Sequence, residues 1–119
     1  QTSLVGSEMC IRDSYNTITL LRERAREQYS KVRLERYNYY TGKAPAEAYV
    51  EEPFPYKVRE KDAIQRHLEA DDKMNKVDMK IKYYDIMLKF LEEIIRNISG
   101  RTYQIKNAIE WNKFQAGYN

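Results

Sequence analysis

Four arginines and two tyrosines in the first third of the chain have the spacing to share one helix face. At 3.6 residues per turn, their side chains point within about 40° of a common direction. This arginine face comprises Arg22, Arg26, Tyr29, Arg33, Arg36 and Tyr40. The acids of the same stretch, Glu23, Glu27 and Glu35, fall on other faces, so the pattern predicts a positive surface without carboxylates. Lys31 and Lys43 are grouped with this predicted surface.

Arginine and tyrosine together suit a flexible polyanion whose bases are unpaired. Guanidinium groups bind phosphate oxygens through two parallel hydrogen bonds and also stack on planar groups. A phenol ring offers a stacking platform that contributes about 1–3 kcal/mol per base. The face therefore suits a single-stranded nucleic acid, but a solvated face, or one that meets acidic loops of a neighbouring copy, fits the periodicity equally well.

Helical periodicity and turn residues divide the first half of the chain into two segments. Residues 15–41 have a helical pattern that ends at Gly42, a favourable residue just after a helix. Residues 43–56 hold every proline of the chain and three uncompensated acids, Glu47, Glu51 and Glu52. Because proline cannot continue a helix, we expect this segment to be an extended acidic connection.

The second half predicts a shorter helix over residues 57–71 and a long helix from residue 72. Asp71 and Asp72 are suited to capping or starting that long helix. Ser99-Gly100 predicts a break, followed by a closing helix that ends near residue 117. The expected fold is all-α, with a long heptad-patterned helix packed with flanking helices and one proline-rich connection.

The long helix has the strongest periodic signal, with apolar residues at alternating spacings of three and four. This heptad seam comprises Met74, Val77, Ile81, Tyr84, Leu88, Leu91, Ile95 and Ile98. A second apolar row beside it comprises Tyr83, Ile86, Met87, Phe90 and Ile94. So much apolar surface on one helix needs several neighbours, so we assign the seam to self-association. The alternative is a bundle within one chain, in which the closing helix covers the second row.

The long helix also carries bases at Lys82, Lys89 and Arg96, and each has an acid four residues earlier. Acid-before-base pairs at this spacing stabilise a helix surface and cancel the field of each base. We therefore expect a solvated, neutral face here rather than a nucleic-acid site.

Composition sets wider limits on the function. The 119 residues carry 21 basic and 18 acidic side chains, a net charge of +3, which alone does not point to a polyanion. One cysteine allows no internal disulfide, and no apolar run approaches the length of a membrane span. The single histidine, His67, has no catalytic partner in the sequence. We expect neither an enzyme nor a cofactor, metal or membrane partner.

The first 14 residues, QTSLVGSEMCIRDS, show no helical or strand period. The SEMCIRDS string resembles translated adapter sequence. We therefore expect residues 1–14 to be an artefactual or disordered leader and residues 15–119 to form a single helical domain.

An ordered set of short stretches resembles the UvsY family, the recombination mediators of T4-like phages. It runs from about Gln28 to Gly117. The matching stretches are Tyr39-Tyr40-Thr41-Gly42, Ala70-Asp71, Lys76-Val77-Asp78, the tyrosine-rich helix from Tyr83 to Leu91, and Arg101, Tyr103, Ile105, Lys106 and Phe114-Gln115-Ala116-Gly117. The family also has an N-terminal helical segment before this region, so the resemblance implies a truncated member.

The resemblance implies a protein without catalytic activity that forms ring-like homo-oligomers in the cytoplasm of an infected bacterium. Such a protein binds single-stranded DNA, helps displace the phage single-strand-binding protein and loads the phage recombinase. The family's DNA-contacting basic pair precedes the Tyr-Tyr-x-Gly string. Arg36 occupies its arginine position and Leu34 stands at its lysine position, where Arg33 and Lys31 could compensate from nearby.

Two other functions remain open from the residues alone. A structural helical oligomer would pair the arginine face with acidic loops of neighbouring copies. A protein-only replication accessory adaptor would bind a partner protein without DNA.

Overall fold

The computed structural model describes the backbone of residues 2–115, and side chains there except those of residues 2–5, 7, 101–107 and 112–115. Four helices follow in chain order: α1 Thr2–Tyr40, α2 Ala46–Glu51, α3 Lys61–Glu69 and α4 Asp72–Gln115. No strand occurs in residues 2–115, and the predicted all-α fold is confirmed. None of the helices in this range combines the length and apolar character that a membrane span requires.

The chain divides into two compact units. The central unit covers Leu20–Asp85, and the terminal unit combines residues 1–19 with residues 86–119. In each unit, a part of α1 packs along a part of α4. The terminal unit shows this in the hydrogen bond from the Tyr15 hydroxyl to Glu92 at 2.9 Å. The candidate site lies in the central unit.

Helix α1 ends at the glycine that the sequence predicted. The Gly42 N–H donates to the Tyr39 carbonyl at 3.3 Å and the Lys43 N–H donates to the Asn38 carbonyl at 2.8 Å. This pair of bonds is a Schellman motif, and it requires a left-handed residue after the helix. Gly42 supplies it with a φ of 81°.

The sequence predicted an extended proline-rich connection, and this is wrong for part of it. The six-residue helix α2 lies within it, with Pro45 as its N-cap residue and Pro53 two residues after its end. Proline is tolerated at a helix start, because the first N–H groups have no partner within the helix. The prolines therefore limit α2 to about one and a half turns without preventing it.

The core of the central unit is small and joins α1, α3 and α4. Ile64 and Leu68 of α3 pack with Met74 of α4. The half-buried side chains around them are Tyr29, Val32, Tyr37, Tyr40 and Val58. Helix α3 presents both of its buried residues to this core, and its other side chains are exposed apart from the half-buried Ala63.

Helix α4 begins where the paired aspartates predicted it. The Asp71 carboxylate accepts the Met74 backbone N–H at 3.0 Å, which is the usual hydrogen bond of a helix N-cap. The predicted break at Ser99-Gly100 is wrong, because α4 continues without interruption to Gln115. One glycine inside a helix costs only about 1 kcal/mol relative to alanine, which a helix of this length tolerates.

Residues 2–14 are helical and continuous with the rest of α1, although they show no helical period in the sequence. Glu8 pairs with Arg12 one turn later at 2.9 Å and accepts a hydrogen bond from Ser99 of α4 at 3.0 Å. Pairs four residues apart support a helix that lacks a strong apolar period. No break in secondary structure marks the predicted domain boundary at residue 15.

The heptad seam of α4 turns toward the interior of each unit. Met74, Val77 and Leu88 are buried. The other members are half-buried: Ile81, Tyr84, Leu91, Ile95 and Ile98. The seam thus packs largely within one chain, but without the separate closing helix of the intramolecular alternative.

The second apolar row remains uncovered in part, because the C-terminal part of α4 runs on instead of folding back. We call the exposed residues Met79, Tyr83, Ile86 and Phe90 the outward row. Each of these side chains is 59–67% exposed. The heptad seam, to which the sequence assigned self-association, is therefore more covered than the outward row beside it.

Candidate nucleic-acid interface

Arg36 lies at the centre of a buried polar network and not on an open face. Its side chain is only 5% exposed, and its Nε lies 2.6 Å from the Asp71 carboxylate. Its two terminal nitrogens reach the Glu52 carboxylate at 3.2 and 3.3 Å. The guanidinium also sits over the Tyr39 ring, 4.2 Å from its centroid. Each of the three guanidinium nitrogens thereby has a partner within the central unit.

The network favours its charged forms despite being buried. Burial works against the charge on Arg36, but hydrogen bonds with Tyr40, Asp71 and Glu52 outweigh it and raise the pKa of the guanidinium. Burial likewise tends to raise the pKa of Asp71. Hydrogen bonds from Tyr40, Met74 and Arg36 reverse this, and the pKa of the carboxyl group lies below its ordinary value. Burial and the Asp71 carboxylate raise the pKa of Tyr40.

The prediction that Arg36 and Tyr40 lie on an exposed face without acids is therefore wrong. The Tyr40 hydroxyl donates to Asp71 at 2.6 Å, so it acts in the same network. The acids come from elements 16 and 31–35 residues away along the chain. The angular positions of residues around α1 contain no information about such distant partners.

The rest of the arginine face is also partly neutralised. Arg22 is half-buried and pairs with Asp85 of α4 at 3.1 Å. Arg26 is exposed and pairs with Glu23 one turn earlier at 2.8 Å. The side chain of Glu23 reaches around α1 toward the arginines, so the separation of charges expected from the helix geometry is not maintained.

Three exposed basic residues of the predicted surface are less engaged in ion pairs than the arginines described above. Arg33 has no ion pair with any residue that the structure describes, and Lys31 has only a 3.5 Å contact with Glu27. Lys43 is exposed and lies 5.9 Å from the centroid of the Tyr37 ring. Tyr29 is half-buried beside Arg33 at the edge of one pocket. Leu34, at the family's lysine position, is 62% exposed.

On α4, the expected neutral stripe forms only in part. Lys82 pairs with Asp78 at 2.9 Å, as predicted. Asp85 instead binds Arg22, and Glu92 accepts from Tyr15. Consequently Lys89 and Arg96 have no carboxylate within 4.0 Å among the described residues.

A second basic surface lies next to the end of α1, and the sequence analysis missed it. Lys57 and Arg59 are exposed, while Val58 between them packs on the core. The Val58 N–H donates to the Tyr40 carbonyl at 2.9 Å, which attaches this segment to α1. The alternation of Tyr56, Lys57, Val58 and Arg59 after Pro55 was the available signal, but the sequence predicted a helix from residue 57, whereas α3 begins at Lys61.

Aromatic rings continue this surface. Phe54 lies 5.9 Å from Tyr56 and 5.8 Å from His67, measured between ring centroids. His67 in turn lies 5.1 Å from the Tyr40 ring. Tyr56 is 70% exposed at the outer end of this series, and His67 is exposed as well.

The part of the chain that the structure describes contains no group of three or more His, Cys, Asp or Glu side chains that could hold a metal ion. What the surface offers is separate positive charges and rings, which suit binding to a charged polymer.

Comparison with known proteins agrees with the resemblance and extends it. A family model described as "Recombination, repair and ssDNA binding protein UvsY" matches residues 11–118. The match begins before Gln28, where the resemblance in the sequence began, and includes the last residues of the predicted leader. No curated protein and no solved structure matches the chain. The family match covers nearly the whole chain, and the chain belongs to the UvsY family of recombination, repair and single-stranded DNA binding proteins.

Proposed function

We propose that this chain is a recombination mediator that holds single-stranded DNA covered by single-strand-binding protein and helps load a recombinase onto it. The family match over residues 11–118 carries the proposal. The family's description names binding, recombination and repair, and it names no reaction. The partners we infer are single-stranded DNA, a phage recombinase, a phage single-strand-binding protein and further copies of this chain.

On α1, we assign the DNA contacts to the basic residues that stay accessible. Arg26, Lys31 and Arg33 are exposed, and Arg33 has no ion pair with the described residues. Lys43 extends this set past the end of the helix. Arg36 and Tyr40 support the site by fixing the end of α1, and they touch DNA only if the buried network opens.

A single chain with so few accessible basic residues would bind DNA weakly, and assembly of several chains would compensate. When several subunits present the same basic residues to one DNA strand, the later contacts become intramolecular and the affinity for DNA rises by orders of magnitude. The outward row of α4 is the surface we assign to this assembly. Large apolar side chains that stay exposed along one helix are typical of contact with another protein.

The compartment we propose is the cytoplasm of an infected bacterium. The chain's one cysteine, Cys10, is exposed and free, which suits a reducing environment. Recombination on phage DNA would take place there.

The direct test reconstitutes recombinase loading. Single-stranded DNA is covered with the phage single-strand-binding protein, and recombinase filament formation is followed with and without this chain. The proposal expects faster or more complete filament formation when the chain is present. It is wrong if the chain binds DNA but leaves the filament rate unchanged.

A structural helical oligomer is the second candidate, and the exposed outward row of α4 favours it. Arg22 and Arg36 of the arginine face already bind acids of their own chain, so in this candidate the apolar row, rather than the arginine face, would meet the neighbouring copies. This candidate predicts assembly without DNA binding at physiological salt. A titration with a labelled oligonucleotide separates it from the mediator.

A further inference from the structure

We propose that a basic–aromatic surface next to the end of α1 is a second contact for single-stranded DNA, at which the Tyr56 ring stacks on an unpaired base. The inference rests on the proposed function, because it assumes a single-stranded DNA ligand. The surface comprises Lys43, Tyr56, Lys57, Arg59 and His67. All five side chains are exposed.

The basic residues of this surface lie near one another at the end of α1. Lys57 lies across Gly42, since a β-carbon placed on that glycine would come within 2.9 Å of the Lys57 Cγ and Cδ atoms. Lys43 follows Gly42 directly in the chain, so both lysines lie near the end of α1. The hydrogen bond from the Val58 N–H to the Tyr40 carbonyl fixes the segment that carries Lys57 and Arg59.

The charges of this surface are not cancelled by ion pairs. Lys43, Lys57 and Arg59 have no carboxylate within 4.0 Å among the residues that the structure describes, in contrast to Arg22, Arg26 and Arg36. Helix C-termini favour cations through their dipole, and this effect contributes to the placement of the three bases. It does not explain why a large ring is exposed beside them.

Tyr56 is the feature that selects a base-containing polymer. Its ring packs edge-on to Phe54, so one side of the aromatic series is anchored, while the ring itself is 70% exposed. A ring fixed in this way loses little conformational freedom when a base stacks on it. Because bases in a duplex are already stacked on one another, the platform favours a single strand.

The test measures binding of the full chain to a fluorescein-labelled thymidine oligonucleotide, and to a strand of equal length without bases, across a salt series. The double variant Lys57→Ala with Arg59→Ala should weaken binding to both strands. It should also flatten the plot of log affinity against log salt by about 1.4, the value for two phosphate contacts on a single strand. Lys89→Ala with Arg96→Ala is the control, because it removes the same residue types from exposed, unpaired positions on α4.

Tyr56→Ala tests the ring. It should weaken binding to the thymidine strand at least about five-fold, the low end of a base–aromatic stack, and leave the strand without bases unaffected. Tyr56→Phe should restore binding. Circular dichroism should show that each variant remains helical.

The assignment is overturned if both double variants lose the same affinity, or if Tyr56→Ala acts equally on the two strands. The second result would fit an acidic peptide or any other polyanion. If the unmodified chain binds neither strand, then the proposed function fails as a whole, and that failure is distinguishable from a misplaced surface.

Discussion

At the scale of single residues, the key finding is that the arginine most expected to touch DNA is buried in an ion-pair network. Arg36 could be predicted to share an angular direction with Arg33, because that follows from helix geometry alone. Its burial could not be predicted, since Asp71 and Glu52 approach from other elements. The same two features of sequence, a basic helix and an acidic connection, fit a DNA site and an internal ion pair equally well.

Replacement of Arg36 should therefore lower the stability of the fold rather than act directly on DNA binding. Arg36→Ala leaves the buried Asp71 carboxylate without its guanidinium, and we expect a loss of about 3 kcal/mol in the free energy of unfolding. Arg33→Ala, at an exposed residue without an ion pair, should change it by no more than about 0.5 kcal/mol. Urea denaturation followed by circular dichroism measures both. Equal midpoints for the two variants would show that the Arg36 network contributes nothing.

The same network predicts a response to acid. The pKa of Asp71 is lowered in the folded state from its ordinary value of 3.8, so the unfolded chain binds the proton more readily. The stabilisation is complete above that ordinary value and disappears as the pH falls through the lower, folded pKa. Asp71→Asn should be less stable than the unmodified chain at pH 7, and the difference should shrink toward pH 2. Urea midpoints at several pH values test this, and a constant difference would contradict it.

At the scale of elements, the sequence predicts the ends of helices better than their continuity. Gly42 and Asp71 end α1 and begin α4 as expected, because each acts through its own backbone conformation or hydrogen bonds. Ser99-Gly100 does not break α4, and residues 2–14 join α1. Continuity depends on packing along the whole helix, and a local signal in the sequence does not report that packing.

Two glycine replacements should have opposite effects for this reason. Gly42→Ala places a β-carbon on a residue with a φ of 81° and should cost about 1–2 kcal/mol. Gly100→Ala lies inside α4, where nothing beyond the adjoining helix backbone comes within 4 Å of the new carbon, and it should stabilise by about 0.5–1 kcal/mol. Thermal unfolding compares them. A destabilising Gly100→Ala would argue against a continuous α4.

At the scale of the whole molecule, the arrangement of apolar surface explains how a heptad pattern can mislead. The strongest periodic residues, including Met74 and Leu88, are buried within the chain, so they are not available to a partner. The weaker row beside them stays exposed. A heptad pattern shows that a helix face is covered, but it does not identify what covers it.

Assembly should consequently depend on the outward row. Ile86→Glu with Phe90→Glu introduces charge at side chains that are 67% and 63% exposed, so the fold should survive while self-association weakens by at least about ten-fold. Leu34→Glu, at an apolar residue of α1 that is 62% exposed, is the matched control. Sedimentation velocity gives the mass of each. Unchanged assembly in the double variant would place the interface elsewhere.

The central claim is that this chain binds single-stranded DNA through its exposed lysine and arginine side chains. Its most direct test is fluorescence anisotropy of a labelled single strand titrated with the unmodified chain at several salt concentrations, beside a duplex of the same length. The account predicts tighter binding to the single strand and a log–log salt slope of about −2 or steeper, from at least three phosphate contacts. Absence of binding to the single strand at low salt would contradict it.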